Sequence, residues 1–298
     1  PARFLSNAGS TPKAWNQKML TDPHLKIVDY RQPSSEVFTG TDIKGGVAVS
    51  LRNTDVENAP IGLFTPYAEL NAIMEKVSAR KDFIPMSKIV VSRTAYRFTP
   101  LMHVNHPEAM AQLSEGHPYD VSTNIFERLP QIFFDEKPAD GKEYIRILGR
   151  TDNNRIYKYV RRDYIRPVCN LDSYKVFLSK ANGTGEFGET LTAPFVGEPE
   201  TGNTETFISI GQLGSLYEAE ALVKYIKTRF VRSLLGALKT TQDITPEKWQ
   251  YVPMQNFTPV SDIDWSLSVN DIDELLYTKY ALTANERDFV RKKVQKME

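Results

Sequence analysis

Three observations predict an α+β fold. Strand-like segments gather in the first two-thirds of the chain, at 25–30, 45–51, 88–92, 144–148, 156–160 and 174–178. Segments with apolar residues at helical spacing lie at 66–80 and from 215 onward. The 298 residues, 41% hydrophobic and 25% charged, contain no repeat or low-complexity tract, so a packed globular chain of one or two domains is expected.

The elements follow in order. Pro12 to Leu20 fits a short helix with Thr11 as its cap and Pro12 at its first position. Leu25–Tyr30 and Gly45–Leu51 fit two strands joined by a loop from Gln32 to Lys44. Two strands and one helix cannot bury both faces of a sheet, so this segment must dock on the rest of the chain or on a partner domain. Pro66–Arg80 presents Leu70, Ile73, Met74 and Val77 on one helical face. Lys88–Ser92 reads as a strand, 99–116 as loop plus a short helix, and Ile125–Leu129 and Gln131–Phe134 as short extended pieces. Tyr144–Leu148 and Ile156–Val160 form a β-hairpin around the turn residues Gly149 to Arg155. Tyr174–Leu178 is a strand that runs into the glycine-rich loop Lys180–Gly185. Gly211–Gly214 is read as a loop before a helix from 215 to 230, extended by a helical piece to Leu238. Thr245 and Pro246 open a helical turn. Ser268 heads a helix with Ile272, Leu275 and Leu276 inward, and Thr283 caps a last one with Phe289 and Val290 inward.

Composition excludes some classes. No apolar run reaches the roughly 18 residues of a membrane span, and Pro1-Ala2-Arg3-Phe4-Leu5 has no signal-peptide pattern. One cysteine, Cys169, forbids an internal disulfide, which fits the cytoplasm; it reads as a small core residue. Net charge is zero, but its distribution is uneven. Lys142 to Lys180 holds ten basic and four acidic residues; Ala181 to Glu220 holds seven acids and no Lys or Arg. Such segregation marks either a footprint for nucleic acid or a basic face balanced by its acidic neighbour.

The hairpin is the main candidate for chemistry. Arginine pairs in bidentate fashion with guanine in the major groove, and Asn or Gln with adenine; Lys and Arg on phosphates set register. Arg150, Asn153 and Arg155 lie at the tip, with Arg146, Lys158, Arg161 and Arg162 behind them, and Tyr157 and Tyr159 share a side. Lys175 precedes the glycine-rich loop, where Lys180 and Asn182 are placed to reach a phosphate or a base edge, and Lys239 ends a helical stretch that could hold a phosphate. That loop lacks the Gly-Lys-Ser/Thr ending of a nucleotide-binding P-loop. His103, His106 and His117 match no closed zinc pattern, so no metal is expected. Asp135-Glu136-Lys137 lacks the spacer of a nuclease motif and precedes Pro138, which makes it a turn.

Taken together, these stretches resemble the C-terminal half of the adenine-specific methyltransferases of type II and type IIG restriction–modification systems. Pro1–Leu5 is similar to the end of the family's fifth strand; Leu25–Tyr30, Val37-Phe38 and Gly45–Val49 resemble its sixth and seventh strands. Tyr144–Arg150 resembles the hairpin of its recognition domain, and Ile244–Pro253 the segment that closes that domain. Asp262–Ser266 followed by Ile272–Leu276 resembles the bacterial C-terminal stretch. The resemblance implies residues 1–60 as the end of a Rossmann-like catalytic sheet, 61–256 as an α+β target-recognition domain, and 257–298 as a helical tail. It further implies double-stranded DNA as partner, together with an N-terminal catalytic, and in some relatives nuclease, portion. The Phe-x-Gly-x-Gly cofactor loop and the Asn-Pro-Pro-Tyr motif that grips a flipped adenine do not occur in this sequence. S-adenosylmethionine is therefore expected to bind the full-length enzyme and not these residues, and the chain is expected to be inactive alone. The competing expectation is a subunit-docking module that does not touch DNA.

Overall fold

A computed structural model describes residues 2–6, 11–31, 34–41, 43, 46–58, 60–183, 185–239 and 241–297. The molecule is a mixed α+β structure with several sheets. Parts of the expected loop 32–44, the pair Gly45 and Ala59, and Thr184 and Thr240 of the two candidate phosphate loops lie outside the described residues.

The N-terminal segment is a small unit. Helix α1 (Lys13–Thr21) starts at Pro12, and Thr11 makes no side-chain cap, contrary to expectation. Strands β1 (Leu25–Arg31) and β2 (Val47–Arg52) pair antiparallel with a bulge at Val28. One face of this ribbon packs Ile27, Tyr30 and Ala48 onto Ala2, Leu5, Leu20 and Phe64. The other face leaves Val28, Val49 and Leu51 more than half exposed.

The main core lies between five helices and one face of a four-stranded sheet. The helices are α2 (Ala68–Ser78), α6 (Leu216–Lys227), α7 (Arg229–Gly236), α8 (Val269–Lys279) and α9 (Ala284–Lys293). The sheet has the order β3-β9-β6-β7, from β3 (Val90–Val91), β6 (Tyr174–Ser179), β7 (Phe195–Gly197) and β9 (Phe207–Leu213). Val176, Leu178, Ile208 and Ile210 point to the helices, and Leu70, Ile73, Met74 and Val77 of α2 meet them as the periodicity predicts. Ile272, Leu276, Phe289 and Val290 belong to this same core, so residues on both sides of 256 share one interior. Ser268 and Thr283 cap their helices as expected, and Ser215 caps α6. Asp273 of α8 accepts the amides of Arg229 and Phe230, at 3.0 and 2.9 Å, and so fastens α8 to the start of α7.

The other face of that sheet carries Lys175, Phe177 and Ser179, which alternate with the residues turned to the helices. Phe177 and Phe207 there meet Leu148 of a second, three-stranded sheet of order β5-β4-β8. Its strands are β4 (Tyr144–Thr151), β5 (Asn154–Arg161) and β8 (Thr201–Asn203); β4 pairs antiparallel with β5 and parallel with β8. Beyond it, Ile145, Ile147 and Val160 close a second core with Phe98, Met102, Phe126 and Leu129. Three short helices contribute to that core: α3 (Pro100–Asn105), α4 (Ala109–Gln112) and α5 (Ile125–Arg128).

Several local expectations need correction. Ile125–Arg128 is helical rather than extended, because Ile125 and Phe126 are buried in the second core instead of alternating across a sheet. Gly211 belongs to β9 and adopts a positive φ of 90° beside Leu213 and Leu222. The expected strand at 88–92 is only two residues long, and a 3-10 turn occupies Met86–Lys88. Cys169 is exposed, on the turn before β6, not in the core. No helix is long and apolar enough to cross a membrane among the described residues.

Candidate nucleic-acid interface

The hairpin is built as its turn chemistry dictates. Thr151 faces Asn154, leaving a two-residue loop of Asp152 and Asn153 with φ of 48° and 62°. Two consecutive left-handed residues make the tight primed turn that matches strand twist, and Asp and Asn tolerate it best after glycine. The register sets Arg150 opposite Arg155, Leu148 opposite Tyr157 and Arg146 opposite Tyr159. One side of the ribbon therefore carries three arginines and two tyrosines around one buried leucine.

Among the described residues neither tip arginine pairs with a carboxylate. Arg155 lies over the Phe195 ring at 4.0 Å and donates to the Ala193 carbonyl at 3.4 Å. Arg150 makes no ion pair among the described residues, and Asp152, the carboxylate at the turn, pairs with neither. Ala193 adjoins Thr192, whose amide donates to Asn182 at 2.5 Å. The hairpin tip and the loop that begins at Lys180 thus share one end of the molecule. Lys180 is half-buried there, its backbone paired with Thr206 and Ile244.

Behind the tip the cations are neutralised. Arg146 donates to Glu198 at 2.5 Å, Lys158 to Asp135 at 2.6 Å, Arg161 to Asp163 at 2.6 Å and Arg162 to Asp172 at 2.5 Å. Glu200 stands 3.7 Å from Arg162. Asp172 is held below the usual carboxylate range, chiefly by the Arg162 hydrogen bond. Arg161 and Arg162 also lie at the far end of β5, roughly 20 Å from Arg155 at about 3.3 Å per residue. An open concavity of about 430 Å³ adjoins Arg146, lined by Tyr144, Tyr159, Tyr174 and the acids Glu198 and Glu200.

Three predicted contact residues leave the candidate surface. Lys175 is fully buried, and its ammonium donates to the carbonyls of Leu171, Thr201 and Glu198 at 2.9, 2.9 and 3.2 Å. Burial pushes it down to about 7. Asn182 is buried, donating to Ser179 and accepting from Thr192. Lys239 is buried and bonds Glu189 and the Asn182 carbonyl. Gly183, at φ 57°, leaves room for the Glu189 carboxylate that a Cβ would strike, so the loop's glycine serves this internal pair.

Residue type alone missed Glu198 and Glu200, which the fold brings against Arg146 and Arg162. The signal was the acid-only run 181–220. Its members Glu189, Glu198, Glu200 and Glu205 bond Lys239, Arg146, Arg162 and Arg93. Of the three candidate histidines, His103 bonds the Pro118 carbonyl, His106 contacts Tyr164 and Glu108, and His117 pairs with Asp120.

No protein-family model matches the chain. No curated protein matches it either. Among solved structures it is similar to the type IIG restriction endonuclease BpuSI, with 10% identity and a TM-score of 0.36. That alignment covers 87% of this chain and 36% of the endonuclease, so the chain spans about a third of the matched protein.

Proposed function

We propose that this chain recognises duplex DNA through the tip of the β4–β5 ribbon, as the target-recognition part of an adenine-specific methyltransferase in a restriction–modification system. The observation that carries the reading is the Arg150–Arg155 pair, two guanidiniums opposite each other at an exposed turn with no carboxylate on either among the described residues. Like charges directly opposite in a ladder cost stability, and an anionic partner offsets that cost. The resemblance of the hairpin and the C-terminal segments to that family supports the same reading. Tyr157, 40% exposed on the same side, adds a surface for sugar or base contact.

Catalysis belongs, in this reading, to a portion outside this chain. The cavity between the N-terminal segment and the helical core, lined by Tyr30, Phe64, Tyr67 and Lys239, measures about 120 Å³. With no Asn-Pro-Pro-Tyr in the sequence, no methyl-transfer step is assigned to these residues. The outward Val28, Val49 and Leu51 of the β1–β2 ribbon favour a docking role for residues 1–60, with the catalytic portion as occupant.

The test is fluorescence anisotropy of a labelled mixed-sequence duplex against the wild type and R150A/R155A at several salt concentrations. Salt-dependent binding by the wild type, weakened in the variant with its fold intact, supports the reading. Equal binding by both refutes recognition through the tip, and no binding by either leaves subunit docking as the function of the chain.

A further inference from the structure

The turn between β7 and β8 carries Glu198, Pro199 and Glu200, and it is held from beneath. The buried ammonium of Lys175 donates to the carbonyls of Glu198 and Thr201, on either side of the turn. Glu200 receives the Arg146 amide on its carbonyl at 2.9 Å and gives its own amide to Leu171 at 2.8 Å. Pro199 fixes one φ, and Glu200 sits at φ 56°, a conformation that favours glycine. The backbone is thus pinned while both carboxylates stand 64% exposed, aimed at guanidiniums of β4 and of the segment after β5.

We propose that Glu198, bonded to Arg146, and Glu200, 3.7 Å from Arg162 beside that residue's hydrogen-bonded partner Asp172, are specificity-determining residues that compete with DNA phosphates for the two guanidiniums. The proposal rests on the DNA-recognition reading above. A guanidinium fork accepts a carboxylate or a phosphate in the same bidentate geometry. Pairs this exposed are weak and screened, so phosphate can exchange for them. Exchange leaves the carboxylates of Glu198, Glu200 and Asp172 beside the incoming backbone, and that repulsion is the same for every sequence. The turn therefore subtracts from the sequence-independent part of binding. Only a site that also satisfies the tip residues Arg150 and Arg155 overcomes it, which is discrimination by a built-in repulsive element. A non-glycine residue at positive φ fits this role, because the position holds a charge there at a conformational cost.

The experiment is a salt-series anisotropy titration of the full chain against a labelled mixed-sequence duplex, with circular dichroism as the fold control. E198Q/E200Q is expected to bind about tenfold more tightly at ~0.1 M salt and to steepen the dependence of log K on log salt by up to about two contacts. Adding R146Q/R162Q to that background is expected to abolish the gain. Binding by E198Q/E200Q within twofold of wild type, or weaker, overturns the inference. E200G, whose glycine suits the observed φ, guards against misfolding of the double variant; it is expected to gain about threefold, and no gain overturns the inference equally. If R150A/R155A loses binding while the acid variants change nothing, the DNA reading stands and this inference falls. If wild type and every variant leave the duplex unbound, both fall.

Discussion

Arg150 and Arg155 face each other one rung before the end of the β4–β5 ladder, and Phe195 stacks beneath only the second of them. This places one restrained and one unrestrained guanidinium at the same exposed end. The restrained one is pre-ordered for a fixed contact, and the other is free to meet a second. Every other hairpin cation behind them already holds a carboxylate. The ribbon is therefore polarised, with its uncompensated charge concentrated within one turn.

Reversing one of the two charges separates stability from binding. R150E sets a carboxylate opposite Arg155 and replaces a like-charge rung by an opposite-charge one. Thermal unfolding is expected to show a stability gain of roughly 0.5 kcal/mol.

Lys175 gives a pH dependence with a definite sign. Its pKa falls from 10.5 to about 7 in the folded chain because burial disfavours the ammonium. The unfolded chain then binds more protons between those two values, so stability rises with pH through that window. The contribution is complete above the unfolded value and lost as pH falls through about 7. Urea unfolding at pH 7 and pH 10 is expected to differ by on the order of 2–4 kcal/mol more in the wild type than in K175M. The variant also leaves three carbonyls without their donor and is expected to be less stable at every pH.

Asp273 joins two helices through one carboxylate. D273A strips acceptors from the amides of Arg229 and Phe230 and leaves a small void between α7 and α8. Denaturant unfolding is expected to show a loss of about 2–3 kcal/mol. Burial raises Asp273 to about 6, so the protonated acid is favoured in the folded state. Its own stabilising contribution is complete below 3.8 and lost as pH rises through about 6, a trend D273A is expected to lack.

E200G tests the strain of the acidic turn. Glycine at φ 56° relieves the left-handed conformation without touching the core. A gain of about 0.5–1 kcal/mol is expected, read as a rise of roughly 2 °C in Tm for a chain of this size.

Much of this architecture was legible in the residues. Tyr144–Leu148 and Ile156–Val160 alternate, and Asp152-Asn153 is turn chemistry, so the hairpin followed from local rules. The apolar stripes of α2, α6 and α8 followed from helical spacing, and the caps Ser268 and Thr283 from residue type. Strands β7, β8 and β9 were not legible. Two are three residues long, and β9 is buried almost throughout, so neither shows the alternation of a half-exposed strand. At the candidate site the type of a residue did not reveal its environment. Lys175 and Lys239 looked like surface cations, but the Glu198 and Thr201 carbonyls and the Glu189 carboxylate that hold them come from segments distant in sequence. The segregation of basic residues before 180 from acidic ones after it reads as a footprint in one dimension. Folding β7 and β8 beside β4 turns much of it into paired charge.

Duplex binding by the R150E variant, measured by anisotropy beside the wild type at ~0.1 M salt, tests the tip as the DNA contact most directly. The prediction is a loss of at least about thirtyfold in affinity, with a salt slope reduced by about one to two contacts, in a protein at least as stable as the wild type. Unchanged affinity in that folded variant would contradict it.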